Sequence, residues 1–248
     1  MKIASLSFAC AALMLCVPAF SDPIGYTEHF DSGSNMDWGT DYASSLSGLF
    51  GSNYDEDGAQ YSSTGGHSGG YVFQNVVSNT YSLIFADSDA SNGALAGNKD
   101  YSTFPRLEGY VTAAGDYIDA YVDLFFASTG DSSTNPVGAA NLTVYATQAA
   151  PWIIEFDPWT LLTGDLTNPS QWSRVRGSAD WSSAIGDVDV VGVFFDVDMT
   201  MGANQVMVDD FVGTPEPGLL LTMAPMAGFL GWRLRRIKRR NPTGTTAP

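Results

Sequence analysis

One segment of the sequence, Tyr117–Phe126, alternates residue by residue between two kinds of side chain. Successive side chains of a β-strand point to opposite faces, so this period of two predicts a strand with an apolar core face and a polar-aromatic outer face. The core face would carry Ile118, Ala120, Val122, Leu124 and Phe126, and the outer face Tyr117, Asp119, Tyr121, Asp123 and Phe125.

Strands are expected to dominate the rest of residues 22–213 as well. The apolar residues there come in short runs separated by Gly, Asn, Asp, Ser and Pro, with no long stretch of helical periodicity. Hydrophobic residues make up 44% of the chain, which is enough for a sizeable core. We predict an all-β fold, a two-sheet antiparallel sandwich. Its strands are expected at Tyr26–Phe30, Tyr71–Val77, Tyr81–Ala86, Leu107–Val111, Tyr117–Phe126, Asn141–Thr147, Trp152–Phe156, Gln171–Arg176, Val190–Val197 and Gln205–Val212.

The charge of the chain is unevenly distributed. All 27 acidic residues lie between Asp22 and Glu216, with only four basic residues among them, which gives this region a formal charge of −23. Such a field repels phosphate backbones, so no nucleic acid is expected as a partner. It attracts cations, and it also keeps an exported domain soluble; both interpretations stay open.

Residues 1–21 have the layout of a secretory signal peptide: a lysine at the second position, an apolar centre, and small residues at Ala19 and Ser21. We expect cleavage after one of these two residues. Both cysteines, Cys10 and Cys16, lie in this segment, so the mature protein is expected to have no disulfide and no thiol chemistry.

Residues 214–240 contain three features in a fixed order. Pro215, Glu216 and Pro217 come first, the mostly apolar stretch Gly218–Trp232 follows, and a basic cluster ends the segment; the cluster consists of Arg233, Arg235, Arg236, Lys238, Arg239 and Arg240. A helix over the apolar stretch would be on the order of 22 Å long, shorter than the roughly 30 Å hydrocarbon core of a bilayer. The positive-inside rule predicts a cytoplasmic basic cluster and an acidic domain outside.

This order resembles the PEP-CTERM sorting signal, which an exosortase recognises and cuts during export in Gram-negative bacteria. The resemblance implies an exosortase as processing partner and a short C-terminal transmembrane helix that anchors the chain in the inner membrane before processing. It then implies residence at the cell surface or in the extracellular matrix, as part of an exopolysaccharide or biofilm. An ordinary C-terminal anchor is the alternative. Residues 241–248, expected to be a disordered tail, depart from the family, whose members usually end soon after the basic cluster.

The two ends of the 22–213 domain resemble those of carbohydrate-binding and laminin-type jelly rolls. The resemblance rests on Glu28–Phe30, on Trp38 and on the closing part of the domain, from Trp181 through a Val190–Asp198 strand to Val206–Phe211. It implies a jelly-roll topology. In such jelly rolls a structural calcium ion often joins the first and last strands, which would here involve Glu28 and Asp209.

Four Asp-x-Asp pairs, Asp55/Asp57, Asp87/Asp89, Asp187/Asp189 and Asp196/Asp198, supply further oxygen ligands of the kind that calcium binds. A solvated acidic surface is the alternative. Zinc is not expected, because His29 and His67 look isolated and cannot form a closed zinc shell.

The outer face of Tyr117–Phe126 provides the predicted ligand site, formed by Tyr117, Asp119, Tyr121 and Asp123. Sugar rings stack on aromatic side chains, and carboxylates accept hydrogen bonds from sugar hydroxyls. The tryptophans, in contrast, are expected mainly in the core.

Two motifs suggest catalysis, but each lacks a partner. Gly66–Gly70 matches the G-x-S-x-G nucleophile elbow; a strand is predicted after it instead of a helix, and both histidines precede Ser68. The segment from Glu155 through Asp157 resembles the E-x-D-x-x-E strand of jelly-roll β-glucanases. Thr160 stands where the acid/base Glu would lie, and a retaining glycosidase needs two carboxyl groups about 5–5.5 Å apart.

The sequence therefore predicts a non-catalytic exported surface or matrix protein, processed by an exosortase, with glycan as the predicted ligand. A jelly-roll glycoside hydrolase and a calcium-stiffened adhesin remain the alternatives.

Overall fold

The computed structural model describes residues 26–115, 117–130, 136–147, 152–154, 159–201 and 204–214. The predicted signal peptide, Pro215–Pro248 and the Glu155/Asp157 motif lie outside these residues. The chain separates into two units after Thr214, and only the first contains described residues. No helix in the described ranges is long and apolar enough to cross a membrane.

The described residues form thirteen strands and little helix. The strands are β1 Tyr26–Glu28, β2 Gly39–Ala43, β3 Gln60–Ser62, β4 Tyr71–Val76, β5 Thr80–Ala86, β6 Arg106–Ala114, β7 Tyr117–Ser128, β8 Thr143–Thr147, β9 Trp152–Ile154, β10 Thr160–Asp165, β11 Trp172–Arg176, β12 Val190–Met201 and β13 Asn204–Thr214. A short helix, α1, spans Trp181–Ile185, and 3₁₀ turns lie at Leu46–Gly48, Ala90–Gly93 and Pro169–Gln171.

The strands build two antiparallel sheets. Sheet A has the order β10-β6-β13-β4-β3, with β1 also paired to β13, and sheet B has the order β11-β8-β7-β12-β5-β2, with β9 also paired to β7. The successive strands β4 and β5, β6 and β7, and β12 and β13 lie in different sheets, so the chain crosses repeatedly between them. The predicted all-β class and two antiparallel sheets are confirmed, and the jelly-roll topology stays a prediction.

All ten predicted strands are present, and three more were missed. These three, β2, β3 and β10, are short, pair with one neighbour each in their sheets and contain Gly, Asp, Gln or Ser instead of an apolar run. In β2, for example, Asp41 is fully buried, and hydrogen bonds from the backbone N–H groups of Tyr42 and Phe50 compensate its carboxylate for the loss of water. Such contacts depend on the folded chain and leave no periodic signal.

The main core lies between the sheets. The predicted core face of β7 is buried throughout, since Ile118, Ala120, Val122, Leu124 and Phe126 are each at most 2% exposed. At the other end of this core, the Trp38 ring makes edge contacts with Phe30 and Phe211, with centroids 5.2 and 5.3 Å apart. The alternation in β7 therefore identified the core correctly.

A second, smaller cluster covers part of the outer face of sheet B. Phe50 packs against Phe85 and Phe125, with ring centroids 6.0 and 6.2 Å apart, and Phe125 is fully buried as a result. The outer face of β7 is consequently divided into a covered end at Phe125 and an open end that includes Tyr121, which is 40% exposed.

Candidate functional site

The open part of sheet B carries a row of three side chains on three adjacent strands. Asp196 of β12 pairs directly with Tyr121 of β7 on one side and with Tyr81 of β5 on the other. Directly opposed residues of antiparallel strands project from the same face, with Cβ atoms about 4.5–5.5 Å apart. The carboxylate is thus flanked by two phenol rings, and we call Tyr121, Asp196 and Tyr81 the Tyr-Asp-Tyr row.

The side chains next to this row, two residues earlier in β12, hold the Tyr81 ring in place. Phe194 lies two residues before Asp196, pairs with Asp123 and Leu83, and stacks against the Tyr81 ring with centroids 5.8 Å apart and 24° between the planes. Asp123 Oδ1 accepts a hydrogen bond of 2.9 Å from Thr147 Oγ1. The Tyr81 ring is therefore held by packing, and the Asp123 carboxylate by a hydrogen bond.

A β-bulge brings one more carboxylate to the site. Val197 pairs with Ala120 and Met199 with Asp119, so Asp198 is the extra residue of β12, and it is exposed. Burial, followed by the charge of Asp198, raises the pKa of Asp196 above its ordinary value. The charge of Asp196, then burial, then the charge of Asp198 raise the pKa of Tyr81. The three side chains thus share one strongly negative field.

The structure brings together only part of the predicted ligand site, whose role stays a prediction. Tyr121 lies in the row and Asp123 in the row beside it, whereas Tyr117 and Asp119 lie farther along β7, opposite Met201 and Met199. Tyr81 was missed altogether, and Asp196 and Asp198 were recognised only as an Asp-x-Asp pair. No local signal identifies them, because the row depends on the register of three strands that are distant in sequence.

Glu28, one of the two predicted calcium ligands, is buried and hydrogen-bonded within the chain. Its Oε1 accepts from the Phe30 N–H at 3.0 Å, and its Oε2 accepts from Ser91 Oγ at 2.6 Å and from the Tyr26 hydroxyl at 2.7 Å. Burial together with the Glu28 carboxylate raises the pKa of Tyr26 to about 12. These bonds join β1 to the 3₁₀ turn that contains Ser91.

Asp209, the other predicted calcium ligand, is fully buried in β13. Its Oδ1 accepts from the Asp210 N–H at 2.7 Å and its Oδ2 from the Ser68 N–H at 3.0 Å, while burial raises its pKa. The described residues contain no group of three or more His, Cys, Asp and Glu side chains placed to hold a metal ion. Calcium binding at Glu28 and Asp209 stays a prediction.

The expectation that the two histidines are isolated is wrong. Asp210, in the left-handed region at φ 48° within an irregular part of β13, binds both. Its Oδ2 lies 2.6 Å from His67 Nδ1, and its Oδ1 accepts from Ser68 Oγ at 2.6 Å and contacts His29 Nδ1. Although burial acts to raise it, the hydrogen bonds from Ser68, His67 and His29 lower the pKa of Asp210. His29 and His67 meet at Asp210 because β1 pairs with β13, which is a contact between residues distant in sequence.

The G-x-S-x-G segment forms a loop that packs against the segment after β1 and against β6. Ser68 Oγ donates to a carboxylate, whereas a nucleophilic serine would donate to a histidine base. A Cβ atom at Gly70 would lie 2.4 Å from the Phe30 carbonyl oxygen, and the His67 ring stacks on Tyr110 with centroids 3.6 Å apart. The glycine is required for this close approach, and β4 follows as predicted.

No protein-family model and no curated protein matches the chain. Among solved structures it is similar to the L4b domain of human laminin alpha-2, at 6% identity and a TM-score of 0.48, over 78% of this chain and 99% of that one. It is also similar to the family 11 carbohydrate-binding module from Clostridium thermocellum in complex with a β-1,3-1,4-mixed-linked tetrasaccharide, at 16% identity and a TM-score of 0.42, over 79% and 99%.

A third similar structure is the K1 cleaved adhesin domain of Lys-gingipain from Porphyromonas gingivalis W83, at 15% identity and a TM-score of 0.39, over 78% and 100%. The similar structures thus include a carbohydrate-binding module and a laminin domain. At these identities and TM-scores the similarities assign neither a family nor a ligand to this chain.

Proposed function

We propose that this protein is a non-catalytic, exported surface or matrix protein that binds a glycan on the open face of sheet B. The Tyr-Asp-Tyr row carries the proposal. It places two phenol rings and a carboxylate side by side on a rigid sheet, with Tyr121 40% exposed.

The chemistry of this row suits a sugar better than a protein partner. The apolar faces of a sugar ring stack on aromatic rings, while its hydroxyls need acceptors at the rim, which Asp196 and Asp123 supply. A protein interface of ordinary size would instead bury roughly 800 Å² per partner around an apolar centre. The exposed part of this face is mixed polar and aromatic, and its apolar end is already covered by Phe50.

The export part of the proposal rests on residues 1–21 and 214–240. An exosortase would cut the chain near Pro215–Pro217, after the helix had held it in the inner membrane, and release the acidic domain to the surface or matrix. Replacing Pro215, Glu216 and Pro217 by alanine is expected to leave uncleaved chain in the membrane fraction, detected by its higher mass. Identical processing of the variant and the native chain would contradict the exosortase assignment.

Glycan binding is tested by affinity electrophoresis of the full chain in gels that contain soluble polysaccharides. Tyr121→Ala should weaken retardation by at least about tenfold in affinity, or about 1.4 kcal/mol, because it removes a ring of the platform. Tyr42→Ala is the matched control, since Tyr42 is 49% exposed and lies on β2, opposite Ser82 and outside the row. Equal retardation of both variants and the native chain would contradict glycan binding at this face.

A further inference from the structure

The three central strands of sheet B carry negative charge and no positive charge. β5, β7 and β12 contain Asp119, Asp123, Asp196 and Asp198, and no Lys, Arg or His. A ligand that approaches this face therefore meets an anionic surface. Polyanions such as uronic-acid polymers are disfavoured there.

The four basic residues of the described part of the chain are located elsewhere. Arg174 donates to the carbonyl groups of Ser178 and Ala179, and Arg176 donates to the Leu49 carbonyl. Arg106 forms an ion pair with Glu108 in sheet A.

Lys99, the fourth, lies outside the named strands, where its backbone pairs with that of Val188 in an isolated β-bridge. None of the four belongs to the strands that carry the Tyr-Asp-Tyr row.

Asp196 is half-buried, and within the described part of the chain it receives no hydrogen bond and no ion pair; the same holds for the exposed Asp198. Its carboxylate is therefore accessible to a donor from a ligand. The nearby Asp198 favours a cationic donor, because two adjacent anions are stabilised by a cation more than by a neutral hydroxyl.

The two tyrosines determine what kind of cation fits. An ammonium group at Asp196 would lie between the side chains of Tyr121 and Tyr81, where aromatic rings attract a cation in addition to the carboxylate. It also has three N–H donors for the surrounding oxygens, compared with a single O–H donor for a hydroxyl. A hydrated metal ion would gain nothing from the rings.

We infer that the ligand of this face is a glycan with free primary amino groups, of the glucosamine class. The inference rests on the proposed function, because it names the kind of sugar that the same face binds. The sugar ring stacks on Tyr121, and its ammonium group is held at Asp196 and Asp198.

The experiment compares two ligands of equal length with the full chain by calorimetry at low ionic strength and about pH 6. One is a glucosamine hexamer, and the other is its fully N-acetylated counterpart, which has the same backbone and no charge. The amine should bind at least about tenfold more tightly, or about 1.4 kcal/mol. Added salt should reduce its affinity much more than that of the acetylated ligand, because dissolved ions screen the contact between charges at the protein surface.

Two variants separate a specific contact from attraction to an acidic protein. Asp196→Asn should remove the preference for the amine. Asp100→Asn, which also removes one negative charge but lies in an exposed loop outside the site, should retain it. Equal effects of the two variants would overturn the inference.

The remaining outcomes distinguish this inference from the proposed function. Equal affinity for both hexamers, lost in Tyr121→Ala, would reject the amino sugar and leave glycan binding at this face in place. Binding of neither hexamer would reject the amino sugar, and the proposed function would fall with it only if the soluble polysaccharides also gave no retardation.

Discussion

His67 Nδ1 lies 2.6 Å from Asp210 Oδ2, although the two residues are 143 positions apart in the chain. The same carboxylate receives Ser68 Oγ and His29 Nδ1, so it joins the end of β1 and the loop before β4 to the last strand. A single aspartate thereby connects both ends of the domain.

Replacing this aspartate should destabilise the fold. Asp210→Ala leaves three polar groups without their acceptor, and we expect a loss of about 1–3 kcal/mol in the free energy of unfolding. Urea denaturation measures it. Glu56→Ala, at an exposed acidic residue, should change stability by less than about 0.5 kcal/mol. A loss no larger in Asp210→Ala than in this control would show that the cluster does not hold the ends together.

The stability of the protein should respond to pH through Asp196. Its pKa is raised in the folded state, so the ionised carboxylate opposes folding above this pKa, and the effect disappears below the unfolded value. Asp196→Asn should therefore raise the melting temperature at about pH 7 and leave it unchanged at about pH 3, below the ordinary aspartate pKa. A gain of the same size at both pH values would indicate a cause other than ionisation.

Packing at the centre of sheet B should not tolerate an added methyl group. A Cβ atom at Gly192 in β12 would lie 2.3 Å from the Ile84 carbonyl oxygen and 2.7 Å from Phe85 Cα. Gly192→Ala is expected to cost about 1–3 kcal/mol, measured by denaturation. Gly186→Ala is the control, because its Cβ would come no closer than 3.4 Å to a neighbour; equal stability of the two variants would contradict the register of β12 with β5.

The predicted calcium site at Glu28 and Asp209 has a direct test. If the folded chain binds calcium, thermal melts in millimolar calcium should lie above those in EDTA, by RT ln(1 + [L]/Kd) in free energy. The shift should vanish in Glu28→Gln. Coincident melts would reject the calcium prediction and leave solubility as the role of the acidic pairs.

The sequence predicted some elements correctly and missed others, and each outcome has a physical reason. β7 was predicted together with its core face, because alternation is a local property of each strand. β2 was missed, because Asp41 is buried in it through bonds to the backbone of Tyr42 and Phe50. Phe125 was expected on an open face, and a distant loop residue, Phe50, covers it.

The sequence by itself determined the fold class, most of the strands and the acidic character of the domain, since each depends on residues close together in the chain; the two terminal signals stay predictions. Only the tertiary structure placed Tyr121, Asp196 and Tyr81 in one row and brought His29, His67 and Asp210 together. Both arrangements depend on strand register, which is set by packing between residues distant in sequence, and a shift of one residue would turn each side chain to the opposite face.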